Sequence, residues 1–378
     1  MIAKLLPNRV RRTYLGGGRI DAFTGGSRFC ATAAETAAPH ADAQERVPPM
    51  PMPEDWMAST TTAFNGTLEI EGEGLGRLED GRLVKDVVGT LPILVKLLDS
   101  DERLVIQAHP TVPCAKRLFN STVGKTECWY FLPGTAPDAC VYLGFKPGVT
   151  REKWEEAFWG GAQLVATAAG AINCAPPDLL SFLHRIPVAA GDFVFVDGGM
   201  PHAIGGGCFM IELQEPSDLM VVAERVTPSG RRIPDAKMHG GVGWKAMFDV
   251  YEYGGATYEE VCERYVRRAA GGSRSSATAA ETAAPHTGGS QLVATVAGAI
   301  NCTPPVIKIL GQELTDKFEM WRVTGGGRVT LPRDRSVAVV TDGAGAVNGH
   351  AVVKGDRLLI AEESQIAVTG TTTLIVCV

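Results

Sequence analysis

Short apolar runs and strict alternation dominate this chain, and sustained helical periodicity is rare. Val105-Ile106-Gln107-Ala108-His109 reads as a buried strand closed by Pro110 and Pro113, which cannot donate to a sheet ladder. Cys128 to Leu132 and the stretch from Ile186 to Leu213 read as strand, turn and strand. From Val306 onward the runs are short and separated by Gly and Asp: Phe318–Val323, Arg328–Leu331, Ser336–Thr341, Ala346–Val353, Asp356–Ile360, Gln365–Thr369 and Thr373–Val378. That pattern predicts a small all-β domain. Helices are expected after Thr150, a candidate N-cap with Trp154 and Phe158 on one face, at Leu179–His184, and at Tyr258–Arg268. His184 is then expected at a helix end, where a cation is favoured. Residues 214–250 read as a long polar connection rich in turn residues.

Side-chain direction turns these strands into candidate chemistry. Successive side chains on a strand face opposite ways, so Gln107 and His109 share a face. Glu127 opens the next strand and can meet that pair. Gly191 to His202 is a strand feeding a glycine turn that delivers one imidazole. Its spacing resembles the second motif of the cupin family, Gly-x5-Pro-x-Gly-x2-His, with Asp197 in place of the Pro and Gly206 where Asn is frequent. Two nitrogen ligands, a carboxylate and an amide oxygen suit zinc or a similar divalent ion. The expected ligand set is Gln107, His109, Glu127 and His202, holding one Zn2+ per chain.

The motifs occur in a telling order: LPILVKLL at 91–98, QAHP at 107–110, GKTECWY at 124–130, GGMPHAIG at 198–205 and ELQ at 212–214. Asn8-Arg9-Val10 with Gly16-Gly17, and Glu54 to Ser59, add to them. In this the chain resembles the type I phosphomannose isomerases, also called mannose-6-phosphate isomerases. The resemblance implies a mainly β fold: a cupin (jelly-roll) barrel catalytic domain with helical additions plus a smaller C-terminal all-β domain. It implies zinc-dependent interconversion of mannose 6-phosphate and fructose 6-phosphate through an enediol. It makes Lys125 and Glu212 catalytic candidates, with Lys96 and Arg225 as candidate substrate-binding residues. Two departures stand out. Val105 occupies a position where many members have Ser near the sugar phosphate, and Val222 one where many have a catalytic Arg. A non-catalytic or altered-specificity metal cupin that binds a sugar phosphate is therefore the alternative.

Composition narrows the rest. With 45% hydrophobic and 21% charged residues and a net charge of −6, the chain reads as a globular protein with no general attraction to nucleic acid. No apolar run nears the ~20 residues needed to span a bilayer. Nine cysteines without a CxxC pair suggest reduced thiols and a cytoplasmic location. The expected partner is a small sugar phosphate, with oligomeric state left open. The expected division is 1–255 (with 25–53 and 161–178 as inserted loops), a helix and low-complexity linker at 256–305, and the C-terminal domain at 306–378. ATAAETAAPH recurs at 31–40 and 277–286, and QLVATAAGAINCAPP at 163–177 returns at 291–305 with two changes. Unequal offsets, 246 and 128 residues, rule out a duplicated domain, so these segments read as cassettes inserted in surface loops.

Overall fold

The computed structural model describes residues 1–25, 52–65, 70–166, 178–269 and 305–378. Apart from residues 163–166 and 305, the repeated cassettes lie outside these residues.

The fold is mainly β, as expected, and its strands pair antiparallel in four sheets. A seven-stranded sheet runs, in spatial order, Val266–Arg267, Phe193–Val196, Glu127–Phe131, Cys208–Gln214, Leu94–Ser100, Glu54–Met57 and Arg9–Val10. A five-stranded sheet runs Val221–Val222, Gln107–Ala108, His202–Ile204, Cys140–Phe145 and Leu183–Pro187. The two enclose one core, in which Leu98, Trp129, Phe131 and Met210 meet Val141, Leu143 and Ile204. Alternation decides which polar groups join that interior. Lys96 shares the face of Leu98, Glu127 that of Trp129, and Glu212 that of Met210, so all three point inward.

The opposite face of the seven-stranded sheet is apolar too. Val95, Leu97, Cys128, Ile211 and Leu213 pack in one cluster with Leu310, Met320, Val337, Leu359 and Ile375. The latter belong to a six-stranded C-terminal sheet, which packs its other face on a four-stranded sheet through Val340, Leu358, Ile360 and Leu374 against Val347, Ile366 and Val368. The edge of the six-stranded sheet is Ile2–Lys4, paired with Leu358–Ile360. The sequence reading had grouped that strand with the barrel, because nothing local to it specifies so distant a partner.

Helix Arg151–Ala166 forms where expected, with Thr150 accepting from the Lys153 amide. Tyr258–Tyr265 is helical behind a Thr257/Glu260 capping box. Leu179–His184 is not an α-helix. Leu179–Phe182 makes a single 3-10 turn capped by Asp178, and Leu183–Pro187 is a strand, because Leu183 and Ile186 are claimed by the barrel cores. His184 is therefore on a strand, its Nε2 on the Ala256 carbonyl, and burial lowers its pKa. The connection 214–250 is less polar than it reads: Met238, Met247 and Phe248 are buried and two short helices form.

The barrel and the C-terminal sheet are also joined by charge. Asp55 is fully buried, and the Arg357 guanidinium donates to one oxygen while the Asn8 amide donates to the other. Removing one partner of a buried pair strands the other charge. Arg357→Met is therefore expected to cost about 3 kcal/mol in urea unfolding, with the Asp55→Asn/Arg357→Met double variant recovering part of that loss. An Arg357→Met protein as stable as the parent would contradict this.

Candidate metal centre and cleft

Two glycines let the motifs meet. A Cβ on Gly124 would lie 2.7 Å from the Pro110 carbonyl oxygen, so only glycine lets the segment before Lys125 cross the one after His109. Gly199 has φ +89° and its amide donates to the His109 carbonyl at 2.6 Å, which anchors the turn that delivers His202. Gln107 and His202 are then register partners on neighbouring strands.

His109, Glu127 and His202 converge, all buried, with donor atoms within 4.8 Å of one another. His109 Nδ1 lies 2.9 Å from the Leu219 carbonyl oxygen, and His202 Nδ1 2.9 Å from that of Met200. A carbonyl oxygen can only accept, so both rings carry their proton on Nδ1. Burial pushes the His109 pKa down to about 3, with the Lys125 ammonium adding to the effect, and burial lowers that of His202 as well. Both Nε2 atoms therefore offer lone pairs. They face the Glu127 carboxylate at 3.2 Å for His109 and 3.4 Å for His202. Burial opposes the charge on Glu127, but the Lys125 ammonium beside it outweighs the burial and holds the carboxyl well below its usual range. Acceptors thus face acceptors. Lys125 Nζ answers part of the demand, 2.9 Å from His109 Nε2 and 3.1 Å from Glu127 Oε2. Both Glu127 oxygens and His202 Nε2 nevertheless lack a well-formed hydrogen bond. Two imidazole nitrogens with fixed tautomers and an orphaned carboxylate are a donor set for a divalent cation.

Beside this group lies a cleft of about 550 Å³, part of it open to solvent, lined by Arg12, Tyr14, Glu54, Lys96, Lys125 and Glu212 among others. Lys96 Nζ donates to Glu212 Oε1 at 2.5 Å and stands 3.8 Å from Glu54. Arg12 grips both oxygens of Asp218, at 2.9 and 2.7 Å, and donates to Glu54 at 3.0 Å. Glu54 also accepts from Tyr14 at 2.5 Å and from the Trp56 ring at 2.6 Å. Burial raises the Glu212 pKa against the pull of Lys96. Glu54 goes the other way: Arg12, Lys96 and its hydrogen bonds overcome burial and hold it at about 2, and Arg12 takes Asp218 lower still.

Of the expected site residues, Gln107, Lys96, Lys125 and Glu212 line this cleft and His109, Glu127 and His202 cluster beside it. Arg225 does not join them. Its guanidinium lies 5.0–5.5 Å from the ring centres of Phe158, Trp159 and Trp244, an aromatic cage outside the cleft lining. Three residues before it, Val222 is paired with Gln107 in the sheet, and the chain turns Arg225 outward beyond that strand. Arg12, Glu54, Asp218 and Lys237 were not singled out from the sequence. Arg12 and Glu54 lie in or beside matched stretches, which was the available signal; Asp218 and Lys237 lie in the connection that read as polar surface.

No family model matches the chain. It is 35% identical over 127 residues to a probable mannose-6-phosphate isomerase of Bacillus subtilis, 34% of this chain and 35% of that protein. It is 34% identical over 127 residues to a mannose-6-phosphate isomerase of Streptococcus mutans, 34% of each chain. The chain thus matches about a third of the length of these curated relatives. Among solved structures, that of a mannose 6-phosphate isomerase from Bacillus subtilis aligns over 100% of this chain and 99% of its own, with TM-score 0.61 and 17% identity. That of a putative mannosephosphate isomerase from Archaeoglobus fulgidus covers 100% and 96%, with TM-score 0.60 and 14% identity. At these identities the likeness is one of fold.

The cleft carboxylates set an acid limit. Glu54 and Asp218 have folded pKa values below their ordinary 4.5 and 3.8, so the unfolded chain takes up their protons first. Their stabilisation is complete above about pH 5 and is lost as pH falls through 4 toward 2. A fall in melting temperature on the order of 5 °C or more from pH 5 to pH 3 is expected, with a shallower slope in Glu54→Gln. Equal slopes in the two proteins would contradict the assignment to Glu54.

Proposed function

We propose that the chain is a zinc-dependent aldose–ketose isomerase interconverting mannose 6-phosphate and fructose 6-phosphate, with Gln107, His109, Glu127 and His202 holding the ion. The observation that carries this reading is the buried meeting of two Nδ1-protonated imidazoles with an orphaned carboxylate, beside a cleft lined with lysines. The named relatives support it. When bound, a zinc ion there supplies Lewis acidity toward the sugar oxygens.

The reaction moves a proton between C1 and C2. It needs a base beside the acidic C–H bond and positive charge where the oxyanion develops. Glu212 is the proton carrier in this reading: it is buried, faces the cleft, and is held by Lys96 while burial makes its carboxylate more basic than usual. It takes the C2 proton from mannose 6-phosphate and returns it to C1, while the O2 hydroxyl proton passes to O1 and the double bond shifts from C1–O to C2–O. Lys125 supplies hydrogen bonds to the oxygens that gain charge. Tyr14, Glu54 and Arg12 fix the far wall through their mutual hydrogen bonds. The second reading, a sugar-phosphate-binding cupin without this catalysis, is favoured by one observation: Val222 is buried and leaves the cleft without the arginine that many family members place there.

The deciding measurement is conversion of mannose 6-phosphate to fructose 6-phosphate, with and without a chelator, following deuterium uptake from heavy water into the sugar. Glu212→Gln is expected to lower kcat by roughly 10²–10⁴-fold while bound zinc remains stoichiometric. His202→Ala is expected to lose both zinc and activity. Full activity in Glu212→Gln would remove it as the proton carrier, and a wild-type protein that binds zinc but converts nothing would favour the second reading.

A further inference from the structure

Among the described residues one buried cation of the cleft has no ion-pair partner. Lys237 sits on the short helix Asp235–Met238 with its side chain turned inward, 6% exposed, and it lines the cleft. Among the described residues its Nζ has one hydrogen-bond partner, the Phe64 carbonyl at a long 3.4 Å. The charged groups that act on it are Arg12, Asp218, Glu54 and Glu73. Each carboxylate among them is already taken. Asp218 accepts from Arg12 and from the Phe64 amide. Glu54 accepts from Tyr14, Arg12 and Trp56. Glu73 accepts from Arg11 and Asn65. Lys237 forms an ion pair with none of them. Burial, with Arg12 adding to it, brings its pKa down to about 8.

A buried ammonium without a counter-ion is costly, and such groups pair or coordinate when they can. Here the open side of Lys237 is the cleft itself, whose walls at this end are apolar: Met220, Val222 and Ile233. Arg12 lies on the same lining, and its guanidinium has five N–H groups, of which Asp218 and Glu54 engage three.

We propose that Lys237 is the anion grip of this cleft, its ammonium and the two remaining Arg12 N–H groups binding the phosphate ester of the sugar. The inference rests on the isomerase reading for the sugar, and on the charge network alone for the anion. It makes this chain's grip on phosphate independent of positions 105 and 222, both of which are valine.

Three measurements test it. With mannose 6-phosphate, Lys237→Met is expected to lower kcat/KM about tenfold or more, the loss falling mainly on KM, and Lys237→Arg to recover most of it. Calorimetric titration with inorganic phosphate should show binding to the wild-type protein weakened about tenfold in Lys237→Met. In the wild-type protein, amine labelling read by mass spectrometry should find Lys237 protected by inorganic phosphate, and this arm stands even if Lys237→Met fails to fold. An unchanged KM and unchanged phosphate affinity in a folded Lys237→Met, or labelling of Lys237 indifferent to phosphate, would overturn the proposal. A wild-type protein inert toward mannose 6-phosphate would instead overturn the isomerase reading, with the titration and labelling still deciding the grip.

Discussion

Buried acceptors cannot face one another without positive charge between them. That constraint governs the interior of this barrel. Two histidines are locked by main-chain carbonyls into the tautomer that aims their lone pairs at Glu127, and Lys125 is drawn in as the nearest cation. The same rule runs across the cleft floor, where Asp218, Arg12, Glu54, Lys96 and Glu212 alternate in sign. With Glu127, Lys125 and Lys237 included, the cations named along the cleft (Arg12, Lys96, Lys125, Lys237) balance its named carboxylates (Glu54, Glu127, Glu212, Asp218) one for one. A divalent cation arriving at the histidines would leave an excess of two positive charges, the charge that a phosphate dianion carries in the opposite sign. The metal site and the anion grip would then compensate one another across the cleft.

Much of this was legible because it is written in short-range pattern. His109 and His202 stand at strand ends beside Pro110 and Pro201, and Glu127 opens a strand three residues after Gly124; such punctuation fixes where a side chain points. Strand alternation likewise placed Glu212 indoors, whereas Lys96 was singled out only through the LPILVKLL motif. Other features are set by partners distant in sequence. Leu179–Phe182 has helical composition, yet the barrel needs the residues that follow as an edge strand. Arg225 reads as a spare cation near the expected site, yet three aromatic rings from two helices enclose it. Lys237 and Asp218 look like solvated charges in a turn-rich connection, and only the fold buries them against Arg12.

The seven-stranded sheet has no solvent face. One side closes over the site and the other is covered by the C-terminal sheet, so Ile211 and Leu213 flank Glu212 with a second hydrophobic core behind them. Glu212 is thereby held on a strand packed on both faces, which leaves its carboxylate little freedom to wander.

The N-terminal strand has a consequence for how the molecule is made. Ile2–Lys4 belongs to the C-terminal sheet and Arg9–Val10 to the barrel, with only four residues between them. Arg12, which organises the cleft, follows directly. On the ribosome Ile2–Lys4 emerges long before Arg357–Ala361 and must wait for it before the edge strand can pair. The barrel can collapse early around its own core, while the strap that seats Arg12 is tied down only after Arg357–Ala361 has been made. A chain interrupted before Arg357 would carry His109, Glu127 and His202 and still lack a firmly anchored cleft.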